Sequence, residues 1–190
     1  MLFPGNNTLT LLTSAELSAL AATAPSHIDT RSSSALSSDR RLTESELNVW
    51  IEEFRALGGI SYFELEVIRL INEYRVSYGL NPLAISMELS MAARFHSQEM
   101  ADLGFFSHTS PIYGSGLMRV ELFGHVNTVP GRYGARENLS GFQGPQRAPY
   151  QPVEGWLNSL GHRSALLDES AVSIGVGTVQ GGGITAKFGF

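Results

Sequence analysis

The sequence predicts an α+β fold in which helices cover a small sheet. Three observations carry this. Between residues 43 and 161, apolar side chains recur at helical spacing in runs separated by glycine or proline. The C-terminal stretch alternates instead, as "AVSIGVGTVQ" and "ITAKFGF". Gly181–Gly182–Gly183 separates these two runs, and the pattern reads as a hairpin.

The elements follow in chain order. "SAELSALAAT" forms a short helix with Ser14 as N-cap. Residues 26–45, "SHIDTRSSSALSSDRRLTES", are Ser-rich with little apolar content, and read as a linker. Thr43 and Glu46 have the spacing of a capping box for a helix to Leu57, with Leu47, Trp50, Ile51 and Phe54 on one face. Gly58–Gly59 ends it. "YFELEVIRLINEYRVSYG" is the strongest helical pattern, with Phe63, Val67, Leu70, Ile71 and Tyr74 sharing a face and Gly79 as the stop. "NPLAIS" is an extended connector. Ser86 then caps a helix with Leu89, Ala93, His96, Met100 and Leu103 in a stripe, ended by Gly104. A shorter helix covers Gly116 to Phe123. Residues 126–152 are Gly-, Pro- and Tyr-rich loop with one strand near Arg136–Leu139. "VEGWLNSL" is a last helix, stopped by Gly161. The organisation is an N-terminal segment and linker (1–42), an accessory helix (43–62) and one domain (63–190).

Bulk properties exclude several classes. The formal charge is −5, Lys187 is the only lysine, and no basic cluster exceeds Arg40–Arg41. Neither a nucleic-acid groove nor a polybasic membrane anchor fits that balance. There is no cysteine, which excludes disulfides and thiolate metal sites. No run is long and apolar enough for a transmembrane helix. The N-terminus lacks a positive n-region, its first basic residue being Arg31, and Glu16 interrupts its apolar run, so it reads as a non-signal segment.

Of the five histidines, His27 falls in the linker, His96 lies on an apolar helical stripe and reads as a core histidine, and His125 reads as surface. His108 and His162 each sit just past a helix end beside small residues. Local context alone makes them loop histidines bonded to backbone. Trp50 and Trp156 read as core, and Asn138 as a residue that ties a loop through backbone hydrogen bonds.

Five segments in order, "LINEYRVSYGLNPL", "LSMAARFHSQEMADLGFFSHTSP", "ENLS", "WLNSLGHRSALLD" and "IGVG", resemble the CAP superfamily of cysteine-rich secretory proteins, antigen 5 and pathogenesis-related proteins. The domain of this group is also called the SCP domain, and the chain is most similar to its cysteine-free bacterial branch. The resemblance runs from Phe63 to Phe190. It implies a three-layer α-β-α sandwich with a small antiparallel sheet and a cleft holding two histidines and two glutamates, often with zinc. It places the first histidine on His108, the first glutamate on Glu137 and the second histidine on His162. The second glutamate falls near Ser159, which is not an acid. Glu154 does not replace it: at roughly 100° per residue it lies about 200° from Trp156, against about 60° for Ser159.

A His–Glu–His cleft with Ser159 beside it is therefore expected, with His108 and His162 as ligands for a divalent metal such as zinc. Two protein ligands imply modest affinity. Glu137 is a third ligand, an outer-shell acceptor or a general base. Three functions follow. The first is a non-catalytic secreted or surface domain that binds metal and a small ligand or peptide. The second is a metal-dependent, peptidase-like hydrolase. The third is a lipid or sterol carrier. The resemblance implies an extracellular or cell-surface location, with the export signal not visible in this sequence.

Overall fold

The computed structural model describes residues 39–141, 148–180 and 182–190, together with Ala15, Ala19, Ala22, Ser32 and Leu36. The N-cap expected at Ser14 lies outside the described residues. The helices are α1 (Glu44–Ala56), α2 (Tyr62–Ser77), α3 (Met87–Leu103), α4 (Gly116–Leu122), α5 (Tyr150–Leu157) and α6 (Leu160–Leu166). The strands are β1 (Ala84–Ile85), β2 (Ala135–Ser140), β3 (Ser173–Thr178) and β4 (Ile184–Gly189). They form one sheet in the order β1-β3-β4-β2, with β1 parallel to β3 and the other pairs antiparallel.

Local chemistry fixes the helix ends. Thr43 and Glu46 form the expected capping box of α1, and Ser61 and Glu64 form a second one at α2. Ser86 accepts from Leu89 N at the start of α3, and Gly104, at φ 67°, closes that helix in the left-handed conformation.

Helices cover both faces of the sheet. Ile174, Val176, Ala186 and Phe188 pack with Val67, Ile68 and Ile71 of α2 and with Val153, Trp156 and Leu166 of α5 and α6. On the opposite face α3 lies directly on β3 because Gly175 and Gly177 have no side chain. A Cβ at Gly177 would stand 2.0 Å from Arg94 N, and one at Gly175 would stand 2.2 Å from Ser90 N. Beyond α3, a second core joins Trp50 and Phe54 of α1 to Leu89 and Phe95 of α3 and to Val120 and Phe123 around α4. Between the layers Arg94 of α3 pairs with Glu64 of α2, both buried, and Glu64 also accepts from Thr178 N at 2.9 Å. The fold is the expected three-layer α-β-α sandwich, but its sheet is mixed rather than antiparallel, because β1, within the expected connector, runs parallel to β3.

The structure also departs from the sequence reading at particular residues. Tyr74 is 37% exposed, whereas Leu65, Ile68, Asn72 and Arg75 are buried. The inward face of α2 is rotated because polar residues help to anchor it: Arg75 donates to Leu166 O and Asp168 O, and Asn72 exchanges two hydrogen bonds with Leu83. Ser32 and Leu36, within the stretch expected as linker, are buried. Ser32 N and O both bond the Gln98 side chain at 3.1 Å, and Leu36 joins the second core. His125 is half-buried, with Asn127 Oδ1 at 3.3 Å from its Nε2, and burial lowers its pKa. Finally, Gly161 does not end a helix. It stays out of the left-handed region and lies in the first turn of α6, so His162 is helical rather than in a loop.

Candidate functional site

The site is organised by β2, an edge strand of the sheet. Its side chains alternate between faces. Glu137 turns toward α3 and α4, while Arg136 and Asn138 turn toward α6. Arg136 donates to Ser164 O, Ser164 Oγ and Asp168 Oδ2 at 2.8–3.0 Å, and Asn138 Nδ2 donates to His162 O at 2.9 Å. Asn138 thus makes the backbone tie expected of it. Successive residues of one strand hold the two segments that carry His108 and His162.

The Glu137 carboxylate is 6% exposed and accepts from three side chains. Lys187 Nζ, directly opposite on β4, donates to Oε2. Arg119 Nη2 of α4 lies 3.1 Å from Oε2 and 3.3 Å from Oε1. His108 Nδ1 lies 2.9 Å from Oε1. Burial pushes the carboxyl pKa up, but the nearby charge of Lys187, the His108 hydrogen bond, and the charges of His96 and Arg119 outweigh it, so the group is held well below the usual carboxylate range. Lys187 is fully buried, and that burial draws its ammonium pKa down against the pull of Glu137.

His108 is 57% exposed at the side chain. Because a carboxylate only accepts, Nδ1 carries the proton, and in the neutral ring Nε2 presents a lone pair. Its backbone is held from several sides. Arg119 Nη2 donates to His108 O at 2.8 Å, and His96 Nε2 stands 2.9 Å from Ser107 O. His162 lies on α6. Burial, then the charge of His108, lower its pKa. Ser159 is the N-cap residue of α6 and makes no side-chain capping bond. Glu154 is exposed, as the helical-wheel angle requires.

Sequence reasoning missed Lys187 and Arg119, and it read His96 as a core residue only. His96 is indeed buried, but its Nε2 also lies 3.9 Å from Glu137 Oε1. The available signal was Lys187 itself: a lone lysine inside an otherwise apolar strand needs a buried counter-charge.

Among the described residues, no group of three or more His, Asp or Glu side chains is placed to hold a metal ion. Glu137 is engaged by two cations and an imidazole. Behind the His108 ring, Glu137 Oε1 is the hydrogen-bond acceptor at 2.9 Å.

Known proteins share this arrangement of elements. The family model described as the cysteine-rich secretory protein family, CAP, matches residues 68–188. The chain is 39% identical over 129 residues to YkwD of Bacillus subtilis (strain 168), covering 68% of this chain and 47% of that protein. It is 39% identical over 116 residues to the membrane protein YlbC of the same organism, covering 60% of this chain and 31% of that one. The match thus spans about half or less of these relatives' lengths. A crystal structure of an extracellular protein containing a SCP domain from Bacillus anthracis str. Ames superposes with TM-score 0.60 at 27% identity, over 78% of this chain and 44% of that one. An outer surface protein from Borrelia burgdorferi shares the fold, with TM-score 0.54 at 23% identity over 65% of this chain and 88% of that one. With more than half of its length matched by the family model and bacterial relatives on both sequence and structure, this cysteine-free chain belongs to the CAP family, in its bacterial branch.

Proposed function

We propose that this CAP domain is a non-catalytic extracellular or cell-surface module whose cleft binds a divalent metal ion through His108 and His162. The observation that carries the reading is the 2.9 Å bond from His108 Nδ1 to a buried carboxylate. It fixes the tautomer and leaves Nε2 as the donor atom, the outer-shell arrangement usual for metal-binding histidines. Zinc suits two neutral imidazoles, and when bound it would supply open coordination positions for a ligand's oxygen or nitrogen. A small ligand or a peptide is the class such a cleft would take. The extracellular assignment is supported by the Bacillus anthracis relative, described as an extracellular protein. Among the described residues no helix is long and apolar enough to cross a membrane.

The hydrolase reading needs Glu137 as a general base. A carboxylate tied to Lys187 and Arg119, with its pKa held low, is a poor proton acceptor, so we favour binding over catalysis. No observation points to a lipid or sterol.

Titration calorimetry with zinc chloride tests the reading. The wild type should bind one zinc with modest affinity. His108→Ala and His162→Ala should each weaken binding by more than the roughly 10- to 100-fold typical of losing an outer-shell partner. Unchanged affinity in both variants would remove it.

A further inference from the structure

His96 and Glu99 lie three residues apart on α3, both side chains are fully buried, and His96 Nδ1 is 3.3 Å from Glu99 Oε2. The proton on that contact can be found by elimination. His96 Nε2 faces a carbonyl, Ser107 O, at 2.9 Å, so Nε2 must carry a hydrogen. Ser110 Oγ accepts from Ile112 N at 3.0 Å and from Tyr113 N at 2.7 Å. Both of its lone pairs are taken, so its own hydrogen goes to Glu99 Oε1. That leaves Nδ1 and Oε2 facing each other. Without a proton between them, two buried acceptors would stand lone pair to lone pair, which the interior penalises heavily.

We propose that His96 and Glu99 share one proton, and that this pair is the positioning device for the loop carrying His108. The pair grips the chain on both sides of that residue, at Ser107 through the His96 ring and at Ser110 through the Glu99 carboxyl. Either location of the proton, on the imidazole or on the carboxyl, leaves the pair neutral overall. It is faced by Arg119 of α4, Glu137 of β2, Lys187 of β4 and Tyr113 in the loop after His108. Of these, Arg119, Glu137 and Lys187 carry charge, and the neutral pair adds none to it. The significance for ligand binding rests on His108 being part of the cleft, as proposed above, but the test needs no metal.

The test uses Glu99→Gln. A glutamine amide donates to Nδ1 and its carbonyl accepts from Ser110, so the variant reproduces every hydrogen bond of the protonated pair without a titrating proton. Two readouts apply to the full chain: the nitrogen-15 signals of the His96 ring, and amide hydrogen exchange at residues 109–113. In the wild type, Nε2 should appear protonated and Nδ1 hydrogen-bonded. In Glu99→Gln, exchange should stay within about twofold of wild type, whereas in Glu99→Ala it should rise about tenfold, the size of one lost buried hydrogen bond. A free, unbonded Nδ1 signal in the wild type would overturn the shared proton. Loosening of the loop by Glu99→Gln of about tenfold, the size of one lost buried hydrogen bond, would overturn it as well. Because Glu99→Gln keeps the buried bonds, the result does not depend on Glu99→Ala folding. Absence of zinc binding would leave these readouts untouched, so failure of the metal reading and failure of this one are separable.

Discussion

Glu137 and Lys187 stand opposite each other on β2 and β4 and form an ion pair out of contact with solvent. Removing Lys187 takes away the cation directly opposite and leaves Glu137 to Arg119 and His108. Lys187→Ala should destabilise the fold by about 3 kcal/mol, the low end for a broken buried pair. The double variant Glu137→Gln/Lys187→Met should recover part of that loss, because it leaves no isolated charge between these two positions. Urea denaturation of the single and double variants measures the coupling, and additive losses would contradict it.

The close seat of α3 on β3 makes a second prediction. Gly177→Ala places a methyl 2.0 Å from the backbone of Arg94, and backbone cannot move aside as a side chain can. The variant should be recovered folded only in poor yield, or melt far below wild type. Gly155→Ala is the control: its site on α5 has nothing within 4 Å, and the helix should gain about 0.5–1 kcal/mol. Thermal melts of the pair should therefore move in opposite directions.

Acid should act in two windows. Burial lowers the pKa of His125 and His162. Between those lowered values and the ordinary histidine range, the unfolded chain binds more protons, so stability falls as pH drops below about 6.5. Glu137 has the opposite charge type but the same sign of effect. Its folded pKa is depressed, so its contribution is present above the unfolded carboxylate range and is lost as pH falls below about 4.5 toward the folded value. Stability measured from pH 7 to 3 should decline in two stages. In Glu137→Gln the second should shrink while the first remains.

Glu137→Gln also bears on the cleft. If the carboxylate serves only to orient His108, zinc affinity should drop by about 10- to 100-fold rather than vanish, the range for outer-shell partners. Calorimetry on a variant that retains wild-type circular dichroism gives the value.

Much of the fold was legible because glycine and capping residues punctuate it. Thr43 with Glu46, Ser86 and Gly104 mark helix ends by mechanisms that act within one turn. The Gly181–Gly183 spacer marks the hairpin. Gly161 misled for the same reason: it looks like a stop, but its φ is not positive and it lies inside α6. Tyr74 was placed inward by periodicity, which cannot know that Arg75 and Asn72 have buried carbonyls and amides waiting. His108, Glu137 and His162 were named from short motifs that resemble a family. Lys187 and Arg119 were not, since what holds a buried cation in place is a partner far away in the chain.

The alternation of β2 carries a consequence for variation in length. Glu137 and Asn138 work because neighbours on a strand face opposite ways. Deleting or inserting one residue within 135–140 would send the carboxylate toward α6 and the amide toward α3. Both histidine-bearing segments would lose their anchors in one step. Length changes at the chain's surface bends carry no such penalty, so this strand is where the domain should be least tolerant of indels.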